Sequence, residues 1–419
     1  MIDQTAQHRL MVLGSMDEFI ALVKKAKKRR YFVVVCDGYK DGPAKKFADR
    51  VYDIDVREIN KIAQVCKDEN IDGIITSFSD LLAECMIKIA DKANISSYCT
   101  PQKFEYLRNK MLMKTMFERL SVPSARPLFL NKKNLNEHIE DIKFPVICKQ
   151  LKGYGSHGVV IVENKEELIS YFDGINDNDS IILVEELYSG HEFNMMTMIV
   201  DGKPQLISVA DRETSIEQGE TLPHVSRIVY PSRIQKNVEK QALEIIKKVA
   251  TYVGINDGPI SMQFFWNKDD GIKVCEIAGR FFGYEHELVE MMCGLSMEEL
   301  LLDLVYSPNN LSIRINNSKV IQNKVSFGLY FHGHEGAISS IEGVPKAKTN
   351  SEINSVLEYY QPGETIGRNI GDKPYAIRIY CQTPEYEIAD TLSNELFSSI
   401  KCLDAEGNNL LFSNQVAKY

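Results

Sequence analysis

The first hundred residues switch regularly between two hydrophobic patterns. RLMVLG, YFVVVCD and DGIITS are short apolar runs that predict strands, and RVYDIDV predicts a shorter one. Between them, DEFIALVKKAKKR, REINKIAQVCKDEN and DLLAECMIKIADKAN predict helices. Strands alternating with helices imply a parallel sheet covered on both faces. A helix is expected from Gln102 to about Leu120, ending at SVPSARP, where two prolines forbid continuation. Strand, loop, strand, helix (NKEELISYF) and strand (SIILVEEL) follow to about residue 185. Longer runs, EFNMMTMIVDG and KPQLISVADRE, predict antiparallel strands, followed by the helix QKNVEKQALEIIKKVATYVG and the strand pair GPISMQFFW and GIKVCEIAGR. Beyond about 306 the chain reads mostly as β, with YAIRIYCQ, a final helix and a short strand. The expected units are an N-terminal α/β domain (1–101), a central domain (102–305) with a small lid subdomain (about 122–185), and a β-rich C-terminal domain (306–419).

Composition narrows the function classes. A chain of 419 residues can bury two or three cores, and 44% hydrophobic with 26% charged residues is ordinary for a globular protein. A formal charge of −9 argues against a nucleic-acid binder, which needs a basic footprint. The basic run Lys24 to Arg30 reads as a solvated helix end favoured by the helix dipole. Nine scattered cysteines, an odd number with no CxxC spacing, predict buried thiols in a reducing compartment. The N-terminus has no signal-peptide pattern, and no apolar run approaches the ~18 residues of a membrane span. A cytoplasmic protein with no membrane partner is therefore expected.

The candidate chemistry starts at CKQLKGYGSHGVVIV. Lys149 enters a loop in which Gly153, Gly155, Ser156, His157 and Gly158 are small or permissive, so backbone N–H groups can approach an anion. A flexible hairpin is the plainer alternative. Downstream, Gln263 and Glu276 lie on consecutive predicted strands joined by the turn NKDDG, which lets their side chains converge. Glu276, Ala278 and Arg280 alternate onto one face. His332 and His334 share a strand, and without a third ligand they read as polar edge residues.

Taken in order, RNKMLMKTMFERLSVP, FPVICKQLKGYGSHGVVIV, VEELYSGHE and GPISMQFF followed by VCEIAGRFFGYEHE resemble the ATP-grasp superfamily. That is the fold of biotin carboxylase, the carbamoyl-phosphate synthetase large chain and many carboxylate–amine ligases. The resemblance implies an α/β and α+β chain: a parallel α/β domain preceding the ATP-grasp domain, and a mostly β C-terminal domain. It implies ATP and Mg²⁺ (or Mn²⁺) as cofactors, with small-molecule carboxylate and amine substrates; a homodimer is compatible with it. Lys110, Lys149 and the loop would contact phosphates, Glu185, Glu186 and Leu187 would read adenine, and Glu192 would accept the ribose hydroxyls. Glu276 and Gln263 occupy the family's metal positions, and Arg280 would stabilise the transferring phosphoryl group. Two departures stand out: Gln263 where an anionic ligand is commonest, and Ala278 where the family's E-x-N-x-R pattern has asparagine. Both also break the pattern of biotin carboxylase itself. Arg212 and Arg233 are candidate grips for the substrate carboxylate, and His286, expected at the pocket mouth, would orient or deprotonate the amine. The implied reaction forms an acyl phosphate, releases ADP and makes an amide or peptide-like bond. A carboxylate–thiol ligase of the same fold, or a non-catalytic ATP-binding protein, are the alternatives.

Overall fold

The computed structural model describes residues 8–151, 159–188, 190–218, 222–318, 324–367 and 373–418. The N-terminal alternation builds β1 (Arg9–Leu13), α1 (Ile20–Lys28), β2 (Phe32–Cys36), β3 (Arg50–Tyr52), α2 (Ile59–Asp68), β4 (Gly73–Ile75) and α3 (Asp80–Ala93). The four strands are parallel in the order β3-β2-β1-β4, with Val12 beside Val35 on one side and Ile75 on the other. Because the chain crosses from β1 to β2 in one direction and reaches β4 in the other, the crevice for a ligand lies where β1 and β4 end.

The helix expected over Gln102–Leu120 is interrupted. A short turn of helix, α4 (Pro101–Phe104), gives way to α5 (Lys110–Leu120), and the Asn109 side chain caps the new start by accepting from Met111 and Leu112 N–H. Asparagine satisfies the orphan donors of a helix start well, so the break falls there. It also makes Lys110 the first residue of its own helix.

The next segment forms β5 (Leu128–Leu130), the helical turn α6 (Leu135–His138), β6 (Val146–Gln150), β7 (Val159–Val162), α7 (Lys165–Asp173) and β8 (Ile182–Glu186). Its four strands pair antiparallel as β5-β8-β6-β7 around a separate small core containing Leu130, Val146, Cys148, Leu168, Phe172 and Val184. Then come β9 (His191–Val200), β10 (Lys203–Ser215), β11 (His224–Tyr230), α8 (Gln235–Val253), β12 (Gly258–Asn267), β13 (Gly271–Ala278), α9 (His286–Cys293) and α10 (Met297–Tyr306).

One antiparallel sheet joins the central and C-terminal regions: β13-β12-β9-β10-β11 continues into β14 (Val325–Phe331) and the strands Ile377–Thr383 and Ile353–Glu358. The sheet therefore crosses residue 305 without an edge.

The basic run of α1 is only partly a solvated helix end: Lys24, Lys28 and Arg30 are exposed, but Lys25 and Arg29 are half-buried and paired. Lys25 Nζ reaches Glu290 at 2.7 Å and Glu298 at 2.9 Å, and Arg29 pairs with Glu299 and with Asp303 at 2.7 Å. The acidic partners come from α9 and α10, about 270 positions along the chain, where local pattern gives no warning of them. All nine cysteines are free, and all but Cys275 are buried. Among the described residues no helix is long and apolar enough to cross a membrane.

Candidate functional site

Three lysines converge where the small sheet meets the large one. Lys149 on β6 pairs with Leu183 of β8, so Glu185, two residues along, sits diagonally on the same face. Lys149 Nζ lies 3.0 Å from Glu185 Oε2, and Lys114 Nζ, one helical turn beyond Lys110, lies 2.5 Å from Oε1. Glu185 and Lys114 are almost completely buried. Burial alone would raise the Glu185 pKa, but Lys149 and Lys114 outweigh it and hold the carboxyl below its ordinary range. Burial likewise disfavours charge on Lys149, yet Cys275, Glu185 and Glu276 keep its pKa above the ordinary value. Lys110 goes the other way: desolvation lowers it, with Glu276 partly compensating. The result is a dry cationic corner with Glu276 as the nearby half-buried carboxylate, suited to a polyphosphate with a divalent ion.

Gln263 and Glu276 are direct cross-strand partners of β12 and β13. Gln263 Nε2 donates to Glu192, and Arg212, the cross-strand partner of Glu192, forms an ion pair with it. The residues proposed for ribose, metal and substrate carboxylate thus hold one another. The Oε1 of Gln263 is the atom it can offer a cation. Leu187 N–H donates to Pro145 carbonyl at 3.2 Å, and the Glu185 side chain is spent on the lysines. Gly153, Gly155, Ser156, His157 and Gly158 lie outside the described residues.

Arg280 follows β13 and is held bidentately by Asp80, the first residue of α3, at 2.9 and 2.6 Å. Burial would raise the Asp80 pKa, but Arg280 outweighs it and keeps the carboxyl ionised. Arg233 does not join this group: its Nη2 bonds both oxygens of Asp390 at 2.8 and 2.9 Å, and its Nη1 reaches Asp211 at 3.4 Å. These contacts tie the start of α8 to the C-terminal helix Tyr386–Ser399.

His286 corrects the sequence-based expectation of a residue at the pocket mouth. It begins α9 but is 2% exposed, ion-paired through Nδ1 to Glu298 and through Nε2 to Glu287 at 3.2 Å, and stacked 4.4 Å from Phe78. Burial disfavours the imidazolium, but Glu287 and Glu298 outweigh it and push its pKa up to about 9. A histidine kept protonated and enclosed cannot take a proton from an amine near neutral pH. Gly283 and Tyr284 stand three and two residues before it, with Tyr284 at φ +56°.

Sequence reasoning passed over Lys114 and Asp80. Lys114 had a signal, its four-residue spacing from Lys110 on one helix face. Asp80 had none, because its partner is 200 residues away.

Residues 142–286 match the ATP-grasp domain family. The chain carries an ATP-grasp domain. The matched segment holds Lys149, Glu185, Glu192, Gln263, Glu276 and Arg280, whereas Lys110, Lys114 and Asp80 precede it. The L-arginine-specific L-amino acid ligase of Bacillus subtilis is 24% identical over 300 residues, 69% of this chain and 70% of that protein. A formate-dependent phosphoribosylglycinamide formyltransferase of Prochlorococcus marinus is 24% identical over 197 residues, and the chain spans half the length of that relative. The crystal structure of an L-amino acid ligase from Bacillus licheniformis superposes with a TM-score of 0.81 at 17% identity, over 96% of this chain and 100% of that one. The ATP-grasp domain thus sits in a chain whose whole architecture follows that of the solved ligase.

Proposed function

We propose that the protein is an ADP-forming ATP-grasp ligase that joins a small-molecule carboxylate to an amine. The observation that carries this reading is the buried Lys114–Glu185–Lys149 triad beside Lys110 and Glu276, with Arg280 at the end of the same strand. The similarity to amino acid ligases supports it. We take residues 1–101, 102–305 and 306–419 as its units, the last two sharing one sheet.

In this reading Lys110 and Lys149 contact the polyphosphate from two sides, and residues 185–187 with Glu192 position the nucleoside. Glu185 fixes the lysines in place, since a carboxylate bonded to both ammonium groups removes their rotamer freedom. The donor set fits Mg²⁺: Glu276 and the Gln263 carbonyl oxygen are hard oxygen ligands that would hold it beside the phosphates. Bound there, the cation would neutralise charge on the phosphates. The substrate carboxylate oxygen attacks the γ-phosphorus, the bond to ADP breaks, and an acyl phosphate forms. The amine nitrogen then bonds the acyl carbon, phosphate leaves, and the nitrogen loses its proton. Arg280, aligned by Asp80, faces charge developing on the phosphoryl oxygens.

The test is ADP release across a panel of carboxylates, each supplied with amines and with thiols. Release that requires a carboxylate and an amine together supports the proposal. Release only with thiols assigns the alternative ligase chemistry, and no release with any pair contradicts a catalytic role.

A further inference from the structure

Arg212 stands between two sets of acceptors and uses one. On β10 it is the direct cross-strand partner of Glu192 on β9, and its Nη1 is ion-paired to Glu192 Oε2. Two residues along β9, on the same face, Asn194 is its diagonal neighbour and within reach of a long side chain. Asn194 is 2% exposed, and its Nδ2 donates to Glu285 Oε1 at 2.8 Å. With Nδ2 committed to that carboxylate, Oδ1 meets no donor among the described residues. A buried amide oxygen left open is uncommon in folded proteins and calls for a donor.

Glu285 lacks a partner of opposite charge. It precedes α9, is 3% exposed, and accepts from Asn194 and, at 2.5 Å, from the Tyr230 hydroxyl. Both donors are neutral. Burial pushes its carboxyl up to about 7, and Tyr230, Arg212, Asn194 and Arg280 draw it down only in part. Burial also disfavours charge on Arg212, and Glu192, followed by Glu285, outweighs it. The guanidinium thus feels both carboxylates but bonds Glu192. Glu192 is crowded in turn: Gln263 Nε2 occupies Oε1, Arg212 occupies Oε2, and the side chain is 11% exposed. A ribose diol that donates to both oxygens has to take the place where Arg212 stands.

We propose that Arg212 is a two-position switch set by the nucleotide: it rests on Glu192 in the empty protein and, when ribose takes Glu192, turns to Asn194 Oδ1 and the Glu285 carboxylate. This rests on the assignment of Glu192 to the nucleoside above. The second position satisfies the open amide oxygen and gives Glu285 its counter-charge, so the loss of the Glu192 ion pair is offset within the protein. Two discrete positions with different partners are what lets a ligand bias one over the other. The move also carries the guanidinium towards Arg280, which acts on Glu285 as well. The cationic end of the phosphoryl site is thereby completed only behind a seated nucleotide.

The test is calorimetric binding of ADP and of 2′,3′-dideoxy-ADP, each with Mg²⁺, to the whole protein. The ratio of the two affinities reads the ribose contact, because a changed charge acts on the phosphates of both ligands alike. Wild type should prefer ADP, and Glu192→Gln should cut that preference at least about threefold. Arg212→Met should raise it at least about threefold, since ribose then displaces no guanidinium. Glu285→Gln removes the charge of the second position and should lower it at least about threefold. A pair that only stabilises the fold would not give these opposite signs. Should either variant not fold, the other decides alone. A preference unchanged or lowered in Arg212→Met, or unchanged or raised in Glu285→Gln, would overturn the switch and leave Glu192 on the ribose. A wild type without a preference, or a Glu192→Gln variant that keeps it in full, would take the ribose from Glu192 and overturn the switch with it. In either case ADP release across the carboxylate panel still decides the ligase reading on its own.

Discussion

Lys114 and Glu185 meet in an ion pair of 2.5 Å with both side chains 3% exposed, and Lys149 completes the contact from the other side at 3.0 Å. Breaking one arm of a buried pair strands charge, at a typical cost of about 3–5 kcal/mol, although the remaining lysine should moderate this for Glu185. Lys114→Ala should therefore lower unfolding stability by roughly 2–4 kcal/mol in denaturant titrations. Lys149→Ala should in addition weaken ATP binding by about 1.5–3 kcal/mol, read by calorimetry. Equal ATP affinity in wild type and Lys149→Ala would remove Lys149 from the phosphate site.

The metal pair gives a second expectation. Glu276→Gln should abolish Mg²⁺-dependent turnover with at most a modest loss of stability, since the carboxylate also offsets the charge of Lys110 and Lys149. Gln263→Glu removes the donor to Glu192 and sets two carboxylates together, relieved only in part by Arg212. That variant should melt at a lower temperature without Mg²⁺, and added Mg²⁺ with ATP should raise its Tm more than it raises that of wild type. The same Mg²⁺ shift in both proteins would exclude position 263 from the metal site.

The buried histidine makes a pH prediction. His286 is raised from 6.5 to about 9, with Glu287, Glu298 and Glu18 facing it and Lys25 bonded to Glu298. A base whose folded pKa exceeds its unfolded value contributes stability that is complete below pH ~6.5 and is lost as pH rises through about 9. The contribution is on the order of 3 kcal/mol. His286→Gln should flatten the fall in stability between those pH values, measured by urea unfolding, and leave the pH profile of turnover where it was. A turnover profile displaced by the substitution would restore His286 to the chemistry.

Asp80 acts through Arg280. Asp80→Asn keeps the shape but loses the charge that aligns the guanidinium, so kcat should fall about tenfold with the KM for ATP little changed. Adding Asp80→Asn to Arg280→Ala should cost little more, because the two residues act as one unit. Additive losses would separate them.

Most of the element order was legible because it rests on local periodicity: β1 to α3 and the long strands β9 and β10 fall where the apolar pattern places them. The interrupted helix at Asn109 was missed because the apolar pattern runs through Arg108 and Asn109 unbroken, and only the cap reveals the second start. Lys149, Glu276 and Arg280 could be picked out from residue type and spacing. What each touches could not, since the partners Glu185, Asp80 and Lys114 arrive from separate elements. The same distance hid the burial of His286: Phe78, Glu18 and Glu298 are neighbours in space alone.

The central claim is that a carboxylate becomes an acyl phosphate, and isotope transfer tests it directly. With the carboxylate identified by ADP release and labelled with ¹⁸O in both oxygens, attack on the γ-phosphorus leaves one labelled oxygen bridging carbon and phosphorus. Displacement by the amine then carries that oxygen away with phosphate. Mass spectrometry of the released phosphate should show one ¹⁸O per turnover. Phosphate with no ¹⁸O, formed at the same rate as ADP, would mean that water rather than the carboxylate receives the phosphoryl group and would contradict the mechanism.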